Sequence, residues 1–173
     1  MATKNRREIA IEEFKKFYDE LKIDFTPSLL DVGADDDRDI KVFRSWKISA
    51  SGVDINPGHG IVLKGSMENI PTAGNIFDFI YSSHSFEHTT NPIQTIKEFQ
   101  RVLKVGGCVF MITPFLCNEQ LFSCDETHLF VLTLEQQVCL FQKFGFNILK
   151  YYIVKEKGAP DKDVQQILIA VKV

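Results

Sequence analysis

Apolar positions in the first stretch recur at helical spacing. Ile11, Phe14, Phe17, Tyr18 and Leu21 fall on one face of residues 8–21. This pattern predicts an amphipathic N-terminal helix, within residues 1–25, that packs on the rest. The pattern then changes. Residues 28–33 form a short apolar run ending in Gly33, as expected of a buried strand followed by a tight turn. Asp35, Asp36 and Asp37 suit the first turn of a helix, where Asp36 or Asp37 can cap free N–H groups, and Ile40, Phe43 and Trp46 give that helix an apolar face. Residues 48–55 and 60–64 predict a second and a third strand, and residues 76–81 a fourth.

The next helix has a clear start. Asn91 can cap it, Pro92 suits its first position, and Gln94 suits the reciprocal capping position. Ile93, Ile96, Phe99, Val102 and Leu103 form its stripe, and Gly106-Gly107 is the expected stop before a fifth strand over residues 108–113. Thr133 and Gln136 make a capping box for a last helix that ends at Gly145. Residues 146–154 and 164–173 are the last two strands. Strands thus alternate with helices, five times over, before two consecutive strands close the chain. Alternation implies a mainly parallel sheet with helices on both faces. Ligands of such sheets sit beyond the carboxyl ends of the strands, where strand order reverses.

A length of 173 residues fits one domain, and 45% hydrophobic with 25% charged residues is ordinary for a globular protein. No run approaches the ~20 apolar residues of a membrane span. A net charge of −3 gives no basic surplus to attract nucleic acid. The charged, amphipathic start is unlike a secretory signal, so a cytoplasmic location is expected. Cys108, Cys117, Cys124 and Cys139 contain no C-x-x-C pair and are expected to be reduced thiols.

Several stretches together resemble a known family. Leu29-Leu30-Asp31-Val32-Gly33-Ala34, then Gly52-Val53-Asp54-Ile55, then Ile76-Phe77-Asp78-Phe79-Ile80-Tyr81 are similar to class I S-adenosylmethionine-dependent methyltransferases. Phe86-Glu87-His88, followed by Glu98-Phe99-Gln100-Arg101-Val102-Leu103-Lys104-Val105-Gly106-Gly107, resembles the type 11 methyltransferase domain. The resemblance runs in order from Leu29 to Pro114, and more weakly through Asp125-Glu126-Thr127-His128 and Phe144-Gly145-Phe146. It implies a Rossmann-like seven-stranded sheet of order 3-2-1-4-5-7-6 with the last strand antiparallel. It also implies S-adenosylmethionine as cofactor.

The resemblance places the methionine end of that cofactor near Asp31, Gly33, Ala34 and Asp35. Without a Cβ, Gly33 lets backbone come close to a ligand. Asp54, beside Ile55 at the end of the second strand, can accept both ribose hydroxyls. The Gly33–Asp54 spacing suits a dinucleotide fold equally well, but the chain has no G-x-G-x-x-G. Ser66 and Met67 fall where the family meets adenine, with Met67 able to lie on the ring or simply fill the core. Ser82, Ser83 and His84 follow the fourth strand, beside the expected sulfonium. One departure stands out. Where the family has Gly-x-Gly, this chain has Gly33-Ala34-Asp35, so a Cβ and a carboxylate at position 35 are expected to crowd the cofactor or to face solvent.

His88 and His128 are the candidate general bases, since an oxygen acceptor benefits from proton removal by a neutral imidazole. Each can equally be a loop hydrogen-bonder. His84-Ser85-Phe86-Glu87-His88 matches the H-x-x-E-H pattern of a zinc-peptidase class, but that chemistry needs both histidines on one helix face, so no metal is expected. Asp35, Asp36, Asp37 and Asp39 lack the spacing of a calcium loop. The expected activity is methyl transfer to a small-molecule or glycan-like acceptor at oxygen. Residues 118–130 are the expected substrate loop, and a second copy of the chain is expected to complete the pocket. The alternative from another class is a methyltransferase-like fold acting as a binding or partner subunit without catalysis.

Overall fold

The Asn5 side chain accepts from the Glu8 N–H while Glu8 reaches back to the Asn5 N–H, and this capping box starts helix α1 (Arg6–Glu20). The computed structural model describes residues 5–115, 127–155 and 164–173. After α1 come β1 (Ser28–Val32), α2 (Arg38–Ser45), β2 (Ser49–Asp54), β3 (Val62–Lys64) and β4 (Phe77–Ser83). A single turn of 3₁₀-helix (Phe86–His88) leads to α3 (Pro92–Val102), then β5 (Leu103–Pro114), α4 (Leu134–Lys143), β6 (Phe146–Val154) and β7 (Gln165–Lys172).

The sheet has the order β3-β2-β1-β4-β5-β7-β6, with β7 antiparallel to both β5 and β6. This is the expected architecture. On one face α1 and α2 bury Phe14, Phe17, Ile40 and Phe43 against Leu29, Phe79, Tyr81 and Phe110. The Phe14 ring stands edge-on to Phe43 and Phe110, each at 5.2 Å between centroids, an arrangement that aligns ring edges with ring faces. On the other face Ile96, Phe99 and Val102 of α3 and Phe141 of α4 cover Leu30, Ile80, Val109 and Met111.

Three expectations need correction. Among the described residues no helix joins β2 to β3 or β3 to β4, so the alternation is less regular than five repeats. The Gly106-Gly107 pair does not stop α3. The helix ends at Val102, and both glycines lie inside β5, where Gly106 has φ +78°. The helical stripe ran on through Leu103 because that residue is apolar and buried on either element. Ser82 and Ser83 are the last residues of β4 rather than a loop after it. No described helix is long and apolar enough to cross a membrane.

Candidate functional site

The carboxyl edge of β1 turns sharply at Gly33, whose φ is +82°. Its N–H donates to Val53 O at 2.9 Å, tying the turn to β2. A Cβ on Gly33 would stand 2.0 Å from Ser85 Oγ. The glycine is therefore required first by the close approach of the loop after β4, as well as by any ligand. Asp35 takes φ +53°, the left-handed conformation that glycine adopts at low cost and Asp tolerates. Its carboxylate is largely exposed and lies 3.6 Å from the Arg38 guanidinium. Asp35 also borders both cavities described below. Asp36 accepts from the Arg38 N–H at 2.9 Å. Burial opposes ionisation of Asp36, but the Arg38 N–H and guanidinium outweigh it and hold the carboxyl below its usual range. Asp37 stands at the N-cap position without a side-chain cap bond.

Asp54 ends β2. One carboxylate oxygen accepts from the Asn56 N–H at 2.7 Å and the other from the Asp35 N–H at 3.1 Å. A carboxylate has about four acceptor sites, so roughly two remain for a ligand. Asp54 is on the wall of a cavity of about 480 Å³ lined by Gly33, Asp35, Val53, Asp54, Ile55, Ser66, Met67, Glu68, His84, Ser85 and His88, among others. That volume lies within the range of small-molecule sites. Ser66 Oγ accepts from the Glu68 N–H at 3.1 Å, so its hydroxyl shapes this turn. Met67 also packs on the core, and both of its expected roles fit.

The loop after β4 carries the titratable groups. His84 has φ +51°, and its N–H donates to Ile112 O at 2.9 Å. Its Nδ1 lies 3.5 Å from Glu87 Oε1, and its Nε2 is buried without a hydrogen-bond partner. Glu87 is 1% exposed, and neither carboxylate oxygen has a hydrogen bond. His88 lines the cavity, and its Nδ1 lies 3.0 Å from Thr127 O. His128 does not line the cavity; its ring stands edge-on to His88 at 5.0 Å between centroids.

A second, smaller cavity of about 290 Å³ opens on the other side of Gly33 and His84. Asp31, Ala34, Asp35, Ser83 and His84 line it together with Arg7, Asp39 and Tyr81. Burial pushes the Asp31 carboxyl well above its ordinary range, and the charge of Asp39 adds to this. Asp39 itself is paired with Arg7 of α1. Ser82 is fully buried and lines neither cavity, because side chains alternate across the sheet and Ser83 faces the ligand edge instead. Residues 118–126 of the expected substrate loop lie outside the described residues, as do Cys117 and Cys124. Burial pushes the Cys108 thiol up to about 11, which keeps it unreactive near neutral pH.

Two elements of the site were missed in the sequence. Glu68 accepts from the Thr89 hydroxyl at 2.8 Å, from the Thr90 N–H at 2.7 Å and from the Asn91 N–H at 3.0 Å. Burial opposes its ionisation, yet these donors hold it below the usual carboxylate range. It fastens the cavity wall to the start of α3. Glu98 and Arg101, present in the quoted motif but given no role, form a second clasp. Their side chains pair at 2.7 Å, Glu98 accepts from the Ile70 N–H, and Arg101 donates to Ile70 O and Thr72 O. An E-x-x-R pair at helical spacing was the available signal.

A family model described as a methyltransferase domain matches residues 2–151. The chain belongs to this family of class I methyltransferase domains. The chain is 33% identical over 106 residues to rice (Oryza sativa subsp. japonica) 2-methyl-6-phytyl-1,4-hydroquinone methyltransferase 1, chloroplastic. That match covers 60% of this chain and 30% of the rice protein, so the chain spans under a third of its relative's length. Among solved structures, phosphoethanolamine N-methyltransferase 2 of Haemonchus contortus, bound to S-adenosylhomocysteine, superposes with a TM-score of 0.71 at 14% identity. It covers 95% of this chain and 52% of that one. The [4+2]-cyclase SpnF superposes with a TM-score of 0.71 at 20% identity, covering 92% and 80% of the two chains. These structural likenesses concern the fold.

Proposed function

We propose that the chain is an S-adenosylmethionine-dependent methyltransferase acting on a small-molecule acceptor at oxygen. The observation that carries the reading is the larger cavity at the carboxyl edge, with Asp54, held by two backbone N–H groups, on its wall. Asp54 binds the ribose hydroxyls, Ile55 and Met67 lie against adenine, and Gly33 and His84 border the methionine end. When bound, the cofactor supplies a methyl group already activated on a sulfonium. The chain then has to orient the acceptor, exclude water and accept one proton. His88 lines the cavity and takes that proton, with His128 beside it. The exposed Asp35 carboxylate, beside Arg38, supports this reading over a binding-only subunit.

The test is calorimetric binding of S-adenosylhomocysteine against NAD, followed by turnover with a panel of hydroxylated acceptors. Adenosylhomocysteine at 100 times its Kd should stabilise the fold by ~2.7 kcal/mol, and NAD should not. His88→Ala should lower kcat by ~10²–10⁴-fold with adenosylhomocysteine affinity unchanged. Binding of NAD alone overturns the reading.

A further inference from the structure

Among the described residues, Glu87 is buried with no hydrogen bond to either carboxylate oxygen. Burying a carboxylate without hydrogen-bond partners is costly, and native proteins usually supply a partner, an ion or a ligand. His84 approaches one oxygen only to 3.5 Å. On the other side lie two imidazoles. Glu87, His88 and His128 each offer one ligand atom, and these atoms lie within 4.8 Å of one another. The His88 Nδ1 faces the Thr127 carbonyl at 3.0 Å. The Thr127 hydroxyl lies 3.1 Å from the same nitrogen; with the proton on Nδ1, donated to the carbonyl, the lone pair is left on Nε2. Metal-binding histidines typically have their other nitrogen held in this way. The Glu87 carbonyl in turn accepts from the Leu129 and Phe130 N–H groups at 2.8 and 3.0 Å, which holds the His128 segment against the turn.

We propose that Glu87, His88 and His128 form a binding site for a divalent first-row transition cation. Two imidazoles and one carboxylate favour zinc, iron(II), cobalt or nickel over magnesium or calcium. Ligand bonds of ~2.1 Å put ligand atoms at most ~4.2 Å apart, so small side-chain rotations complete the set. This is not the peptidase pattern seen in the sequence. His84 precedes the 3₁₀ turn, and the third ligand comes from His128, forty positions after His88. His88 also lines the larger cavity, so open positions on the cation would face the acceptor. Resting on the proposed methyl transfer to oxygen, the cation would bind the acceptor hydroxyl. With its ring nitrogen engaged by the cation, His88 would no longer take the proton; the hydroxyl would release it to solvent, and its oxygen would form the new C–O bond as the C–S bond of the sulfonium breaks, leaving adenosylhomocysteine.

The experiment uses the full chain, stripped with a chelator. It is titrated with Zn²⁺ by calorimetry and with Co²⁺ by visible absorption. One equivalent should bind, and Glu87→Gln, His88→Ala and His128→Ala should each weaken binding at least tenfold. His59→Ala, at an exposed histidine after β2, should leave it unchanged. Glu87→Gln preserves shape, and circular dichroism checks each fold. Absence of saturable binding, or equal affinity in His128→Ala, overturns the proposal. Adenosylhomocysteine affinity, measured on the same stripped samples, reports on the cofactor reading independently. Turnover that survives chelation likewise overturns the cation's role and leaves His88 as a simple base.

Discussion

The loops after β1 and after β4 meet at Gly33 and Ser85, yet they are built in opposite ways. In the first, the carboxylates have partners. Asp35 and Asp36 pair with Arg38, Asp37 with Lys41, Asp39 with Arg7, and Asp54 accepts two N–H groups. That loop is preorganised, and a ligand meets backbone and the open acceptor sites of Asp54. In the second, His84 Nε2 and both Glu87 oxygens are buried without hydrogen bonds among the described residues. Such groups destabilise the fold until something binds them. The first loop is a finished mould and the second is completed by its ligand.

The largest effect is expected where the two loops touch. Gly33→Ala puts a Cβ on Ser85 and forces Ala to a φ of +82°. Overpacking and strain together should cost roughly 2–4 kcal/mol, read as a lowered midpoint in urea, with loss of adenosylhomocysteine binding. Ser85→Gly should restore part of the loss. A Gly33→Ala protein of wild-type stability would show that the loops are not rigidly joined.

Asp54→Ala tests the finished mould next. It removes the ribose acceptor and the partner of two N–H groups. A charged hydrogen bond is worth ~1.5–3 kcal/mol, so adenosylhomocysteine affinity should fall by ~10–100-fold by calorimetry. Unchanged affinity would take Asp54 out of the site.

The difference between the loops also separates what could be seen in the sequence from what could not. Strand positions and helix starts were legible, because apolar periodicity and caps such as Asn91, Thr133 and Gln136 are local signals, whereas the strand order was implied by the family resemblance. The positions of Gly33 after β1 and of Asp54 at the end of β2, both on the larger cavity, were legible from the strand pattern. The Glu68 clasp was not, since its donors lie 21 to 23 positions away on a loop with no periodicity. For Asp35 the sequence offered a crowding and a solvent-facing outcome and could not choose, because the exposure depends on Arg38 and on the backbone angle. The pairing of Glu87 and His88 with His128 is a tertiary fact, and the matching H-x-x-E-H string pointed to His84 instead.

Asp31 is the exception at the root of the first loop, buried with its carboxyl well above the ordinary range. Its sign follows from linkage. A carboxyl raised by folding contributes fully below the unfolded value of ~3.9, and stability is lost as pH rises from there to the folded value. The loss is ~1.4 kcal/mol per pH unit across that window. Asp31→Asn cannot titrate, so its melting temperature should overtake the wild type as pH rises above ~4. Equal pH profiles would mean that Asp31 is solvated or paired when ionised.

The smallest effect is expected at position 35, where the sequence departs from its family. Asp35→Gly relieves a left-handed backbone, but glycine also adds entropy to the unfolded chain, ~0.4–1 kcal/mol in the opposite direction. The Arg38 pair lost is long and largely exposed, so it contributes little. The Asp35 N–H to Asp54 bond survives, because it is made by backbone. Stability should therefore change by no more than about 0.5 kcal/mol, and adenosylhomocysteine affinity by less than about threefold. Asp35→Ala keeps the φ of +53° without the side-chain oxygen, and separates backbone strain from charge. A tenfold gain in Asp35→Gly would mean that the Cβ crowds the ligand and that the mould is not finished. A tenfold loss in both variants would make the carboxylate itself a ligand, turning inward from Arg38 to meet the amino group of the bound cofactor.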